Sequence, residues 1–193
     1  MTHDAHVRIG EDGGRAALLV NGIVQSISPE DGLVNGGYWG AMVPEDRPHH
    51  ALILGLGGGT LAQLLHARWG PFPILGVDDD PAVLDLASSV EWLPREGLEV
   101  VIDDAFSYVK GCQERYDYVA VDLFHGEDMD GRAFGKPFLR RLRTLLQPRG
   151  QLAINMFADI RMLRRVNCIA TFFEIRERRY VGGNLVVHAR RRR

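Results

Sequence analysis

The run Gly55-Leu56-Gly57-Gly58-Gly59 restricts the fold of this chain more than any other feature. An apolar stretch, Ala51 to Leu54, leads straight into it, and a helix-forming segment, Thr60 to Arg68, follows. Strand, glycine turn and helix open a βαβ unit, in which the glycines let backbone approach a ligand at a helix N-terminus. A second apolar run, Phe72 to Val77, then ends at Asp78 and Asp79, 23 residues beyond Gly55. An acid at that distance accepts hydrogen bonds from ribose hydroxyls.

The same alternation continues along the chain. Short apolar runs at Leu98 to Ile102, Tyr116 to Val121 and Gln151 to Met156 predict strands. Helical patterns fit Pro81 to Ser89, Ala105 to Gly111, Pro137 to Leu146 and Asp159 to Phe172. Strands alternating with helices specify an α/β fold with a doubly wound, mostly parallel sheet. Phe173 to Arg179 and Leu185 to Ala189, flanking Gly182-Gly183-Asn184, add an antiparallel hairpin at its edge and bring the sheet to seven strands. Ahead of all this, Ala16 to Val20 and Ile23 to Ile27 are joined by Asn21-Gly22, a strong two-residue hairpin signal. The expected organisation is an N-terminal hairpin and linker over 1–47 and a main domain over 48–193, forming one compact unit.

Composition excludes several classes. With 46% hydrophobic and 25% charged residues, the chain has ordinary globular usage. Its longest apolar runs are far shorter than the ~20 residues of a membrane span, and the N-terminus has no signal-peptide core. Cys112 and Cys168 have no CxxC spacing or companion histidines. A soluble, cytoplasmic protein without a metal site is expected. Charge is uneven: residues 1–131 hold 7 basic and 22 acidic side chains, and residues 132–193 hold 16 and 3. The basic half, ending in Arg190 to Arg193, lacks the interleaved aromatics of a nucleic-acid groove, so nucleic acid is disfavoured as a partner.

Asp103-Asp104-Ala105 follows the third parallel strand and Asp122 ends the fourth, so four strand ends converge on one crevice. The glycine pattern is G-x-G-x-G, with Thr60 where a dinucleotide fingerprint has its last glycine. S-adenosylmethionine carries no phosphate and fits better. Its carboxylate would use the glycine loop and helix dipole, and Asp78 its ribose. Trp69, Trp92 and Phe106 are expected in packing, with Phe106 near the adenine position.

On these residues the chain resembles the spermidine synthases and their methyltransferase relatives, within the class I S-adenosylmethionine-dependent transferases. Leu19-Val-Asn-Gly-Ile-Val-Gln25 resembles that family's hairpin, whose glutamine lies against the cofactor, and Tyr38 falls where the family has a tyrosine near the substrate amine. Ile53-Leu-Gly-Leu-Gly-Gly-Gly59 resembles its glycine loop, Asp78 its ribose-binding acid, Asp104 and Ala105 its adenine-binding pair, and Tyr116-Asp-Tyr-Val-Ala-Val-Asp122 the strand ending in its catalytic aspartate.

Two positions depart from the synthases: Gly58 stands where their loop carries an aspartate, and His125 where a second aspartate follows the catalytic one. Two carboxylates that would balance a diamine are therefore missing. Asp122-Leu-Phe-His-Gly126 and Leu152-Ala-Ile-Asn-Met156 look more like the methyltransferase branch. The resemblance thus implies methyl transfer, with Asp122, His125 and Tyr38 as catalytic candidates, to a small-molecule or protein acceptor. Aminopropyl transfer from decarboxylated S-adenosylmethionine, as in polyamine biosynthesis, is the first alternative; a non-catalytic nucleoside-binding protein is the second. The family resemblance also implies a homodimer.

Overall fold

The computed structural model describes residues 6–29, 37–125 and 128–192, with the His125 side chain left aside. Three antiparallel strands come first, β1 (Val7–Asp12), β2 (Arg15–Val20) and β3 (Ile23–Ile27), followed by a short helix α1 (Gly37–Met42). The parallel alternation then runs β4 (Ala51–Leu54), α2 (Thr60–Trp69), β5 (Ile74–Asp78), α3 (Pro81–Ser89), β6 (Leu98–Ile102), α4 (Ala105–Gly111) and β7 (Tyr116–Val121). A two-residue pairing of β8 (Phe124–His125) with β9 (Asp128–Met129) and a 3-10 turn lead to α5 (Lys136–Leu145), β10 (Leu146–Phe157), α6 (Met162–Phe172), β11 (Phe173–Val181) and β12 (Asn184–Arg191).

The main sheet has seven strands in the order β11-β12-β10-β7-β4-β5-β6. β10, β7, β4, β5 and β6 are mutually parallel, and β12 and β11 complete one edge antiparallel, as the sequence pattern predicts. Alternate residues of each strand serve opposite faces. Leu52, Leu54, Val119 and Val121 join the core under α4, α5 and α6, whereas Ala51, Ile53, Tyr118 and Ala120 join the core under α1 and α2. Tyr118 is fully buried, and its hydroxyl donates to the Met42 carbonyl at 2.7 Å, fixing the end of α1 against the sheet.

The N-terminal strands pack by the same alternation. Leu18 and Val20 face Val83, Ala87 and Trp92, while Ala17 and Leu19 face Ile27 and Trp39. Two buried hydrogen bonds tie this small sheet to the glycine loop: Ser26 Oγ accepts from Gly58 N–H at 2.7 Å, and Thr60 Oγ1 accepts from Ile27 N–H at 3.1 Å. At the amino end of the parallel strands, Arg149, Arg176, Arg190, Arg191 and Arg192 surround a shallow depression together with Glu174. Five arginines of the basic half thus gather at the end of the sheet remote from the strand ends that carry the acids, whereas Arg132 pairs with Asp130 and Asp104 beside them. Among the described residues no helix is long and apolar enough to cross a membrane.

Candidate active site

A cavity of about 240 Å³ opens where β4, β5, β6 and β7 end. It is lined by Gln25, Tyr38, Gly55, Gly57, Asp78, Asp79, Asp104, Ala105 and Asp122 among the residues singled out from sequence. Gly58 and Gly59 do not line it: a Cβ at Gly58 would meet Ser26 Cβ at 2.7 Å, and one at Gly59 would meet the Leu93 side chain at 2.8 Å. An acidic side chain at 58 would therefore meet the N-terminal sheet rather than a ligand. The His125 imidazole lies outside the described residues.

Close approach accounts for Gly55. Its φ is +86°, and a Cβ there would collide with the Asp122 carbonyl oxygen. That contact joins the end of β4 to the end of β7. Asp78 then organises the loop: Oδ2 accepts from Gly57 N–H at 2.8 Å, and Oδ1 accepts from Asp80 N–H at 3.1 Å. Burial pushes the Asp78 carboxyl above its ordinary range; the two backbone donors oppose this, and the charges of Asp79 and Asp80 add to it.

The loop amides correct one expectation. Gly55 and Leu56 N–H donate to the Val77 carbonyl, Gly59 N–H to that of Leu56, Gly57 N–H to Asp78 and Gly58 N–H to Ser26. All five are engaged within the protein, so a ligand carboxylate has no loop amide to bind. Among the described residues the lining holds seven aspartates, at 78, 79, 80, 103, 104, 122 and 130, against one basic side chain, His6. Such a cavity attracts cations. Asp104 also serves locally: its Oδ1 caps α4 by accepting from Ser107 N–H at 2.8 Å. Phe106 does what the sequence left open, lining the cavity while its ring packs on Phe138 and beneath the Arg132 guanidinium.

Asp122 lies at the floor. Asn155 Nδ2 donates to its Oδ1 at 2.9 Å, and the Tyr38 hydroxyl donates to the same carboxylate. Burial lifts Asp122 to about 6; the Asn155 and Tyr38 hydrogen bonds hold it down, and the charge of Asp78 pushes it up. Tyr38 is raised well above its ordinary value by burial and by the adjacent Asp122 charge, so it stays a neutral donor. A carboxylate with this affinity is ionised at neutral pH yet basic enough to take a proton from a nucleophile. Sequence reasoning did not single out Asn155 as a site residue, because only the register of β10 against β7 carries it to Asp122.

Residues 40–156, more than half of the chain, match the spermine/spermidine synthase domain. The chain belongs to this family. A polyamine aminopropyltransferase of Neisseria meningitidis is 30% identical over 130 residues, covering 66% of this chain and 49% of that protein. An eEF1A lysine and N-terminal methyltransferase homolog of Drosophila melanogaster is 28% identical over 129 residues, covering 62% and 19%. This family member therefore spans about half the length, or less, of these curated relatives. Human methyltransferase-like protein 13, solved with SAH, superposes with a TM-score of 0.67 at 21% identity over 75% of this chain and 72% of that one, a likeness of fold.

Proposed function

We propose that this chain is an S-adenosylmethionine-dependent transferase that moves a methyl group to a small-molecule or protein acceptor. The observation that carries the reading is one cavity with Asp78 at its rim, beside the glycine loop, and the Asp122–Tyr38 pair at its floor. Asp78 is suited to the ribose, with Ala105, Phe106 and Asp104 around the adenine. The aspartates of the lining favour the sulfonium. Methyl transfer from a sulfonium asks the protein for in-line positioning and for removal of one proton from the nucleophile. Asp122, held by Asn155 and Tyr38, is suited to take that proton. His125, in place of a synthase aspartate, favours methyl over aminopropyl transfer.

Aminopropyl transfer from decarboxylated S-adenosylmethionine is the second reading, and a separate observation favours it. The loop amides are internally engaged, and among the described lining residues no lysine or arginine faces a methionine carboxylate. A donor without that carboxylate suits such a lining.

Calorimetric titration with S-adenosylmethionine, its decarboxylated form, S-adenosylhomocysteine and NAD tests both. Methyl transfer requires tight binding of the first and third compounds, and aminopropyl transfer requires preference for the second. In either case Asp78→Ala weakens binding by about 100-fold, the loss of about 3 kcal/mol of charge-assisted hydrogen bonding. Binding of NAD alone, or of none of the four, refutes the transferase reading.

A further inference from the structure

The pairing of β10 with β7 sets Ile154 level with Val121, and so brings Asn155 level with Asp122, the next residue after the strand. Asn155 is only 3% exposed, on the face of β10 that also carries the buried Ala153. Its Nδ2 donates to Asp122 Oδ1, while its own Oδ1 is buried and has no hydrogen-bond partner among the described residues. Reversing the amide would set that oxygen against the carboxylate, so electrostatics fixes the observed orientation. A buried carbonyl oxygen without a donor is unfavourable, and an apolar side chain of similar size would avoid the penalty. Packing therefore gives no reason for an amide here, and local rules of this kind are broken mainly at functional sites.

We infer that Asn155 is a positioning residue: its amide locks one oxygen of Asp122 from behind the cavity, leaving the rest of the carboxylate to Tyr38 and to the incoming nucleophile. The inference rests on the reading of Asp122 as the proton acceptor. Asn155 does not line the cavity, so it acts on the acceptor only through Asp122. Among the described residues, the titratable groups facing Asp122 are Tyr38 from α1 and Asp78 at the end of β5, with Tyr118 on β7 also feeling its charge. Only Tyr38 shares with Asn155 the role of hydrogen-bond donor. The two residues approach the carboxylate from different elements, α1 and β10, so its orientation is set by the assembled sheet rather than by the loop after β7.

The test is carboxyl-carbon NMR titration of Asp122 in the ligand-free protein, its signal identified by its disappearance in Asp122→Asn. In Asn155→Leu the midpoint is expected to move up by about one pH unit, the usual scale of a lost hydrogen bond to an ionised carboxylate. The melting temperature at pH 5 is expected to stay the same or rise, since the unpartnered oxygen is gone. Asn155→Ala provides the same readout if the leucine variant does not fold. An unchanged midpoint overturns the inference, and so does a sharp fall in melting temperature in both variants, which would assign Asn155 to the core. The titration needs no ligand: failure to bind S-adenosylmethionine refutes the transferase reading, whereas an unchanged midpoint refutes the role of Asn155 alone.

Discussion

Replacing Asp122 by asparagine is expected to make the protein more stable at neutral pH. Burial lifts this carboxyl from 3.8, its ordinary value, to about 6. Between those values the folded protein holds a proton that the unfolded chain has released. The carboxyl therefore costs stability above pH 6, and the cost disappears as pH falls below about 4. Its full size is about 3 kcal/mol, the free-energy equivalent of the gap between the two values. The opposing hydrogen bonds from Asn155 and Tyr38 are already contained in it. The substituted amide is of nearly the same shape and uncharged, so the variant gains up to that amount at pH 8 and nothing at pH 4. For a chain of 193 residues this corresponds to a rise in Tm of about 6–12 °C. Urea denaturation of both proteins at pH 8, 6 and 4 measures the difference directly. A variant less stable than wild type at pH 8, or a difference independent of pH, would refute the reasoning.

Two further substitutions probe the loop. Gly55→Ala adds a side chain at φ +86° against the Asp122 carbonyl, and is expected to destabilise the fold by more than about 2 kcal/mol and to abolish donor binding; wild-type affinity in calorimetry would contradict it. Ser26→Ala removes the buried acceptor of Gly58 N–H and is expected to cost about 1–3 kcal/mol in urea denaturation, with no change in the helix signal of the folded protein. A cost under about 0.5 kcal/mol would show that Gly58 N–H finds another acceptor.

The parallel core was legible because its signals are local. β4, β6, β7, α3 and α4 begin and end at the expected residues, and all but β7 are bounded by a glycine, a proline or a capping aspartate. Asp80, for example, caps α3 by accepting from Ala82 and Val83 N–H, with Pro81 in the first turn. Signals went unread where sequence and setting disagree. β1 is half-exposed and carries Arg8, Glu11 and Asp12, so it has no apolar run; only pairing with β2 makes it a strand. β10 starts five residues before the expected Gln151, through Pro148 and Gly150, which read as a break and form an irregularity in the pairing with β7. In the site, the acids at strand ends could be read from spacing. The engagement of the Gly58 amide could not, because it depends on Ser26, which lies 32 residues before Gly58 in the chain.

The hydrogen bonds from Gly58 N–H to Ser26 and from Ile27 N–H to Thr60 make the N-terminal sheet part of the cavity's thermodynamics. The loop between β4 and α2 is held in part by the docked β3, since one of its amides has its acceptor there. Docking and ligand binding are then linked functions, and the free energy with which one favours the other is the same in both directions. A ligand that grips the loop holds the small sheet closed, and whatever loosens that sheet lowers the affinity of the site, whose wall it also supplies through Val20, Asn21 and Gln25.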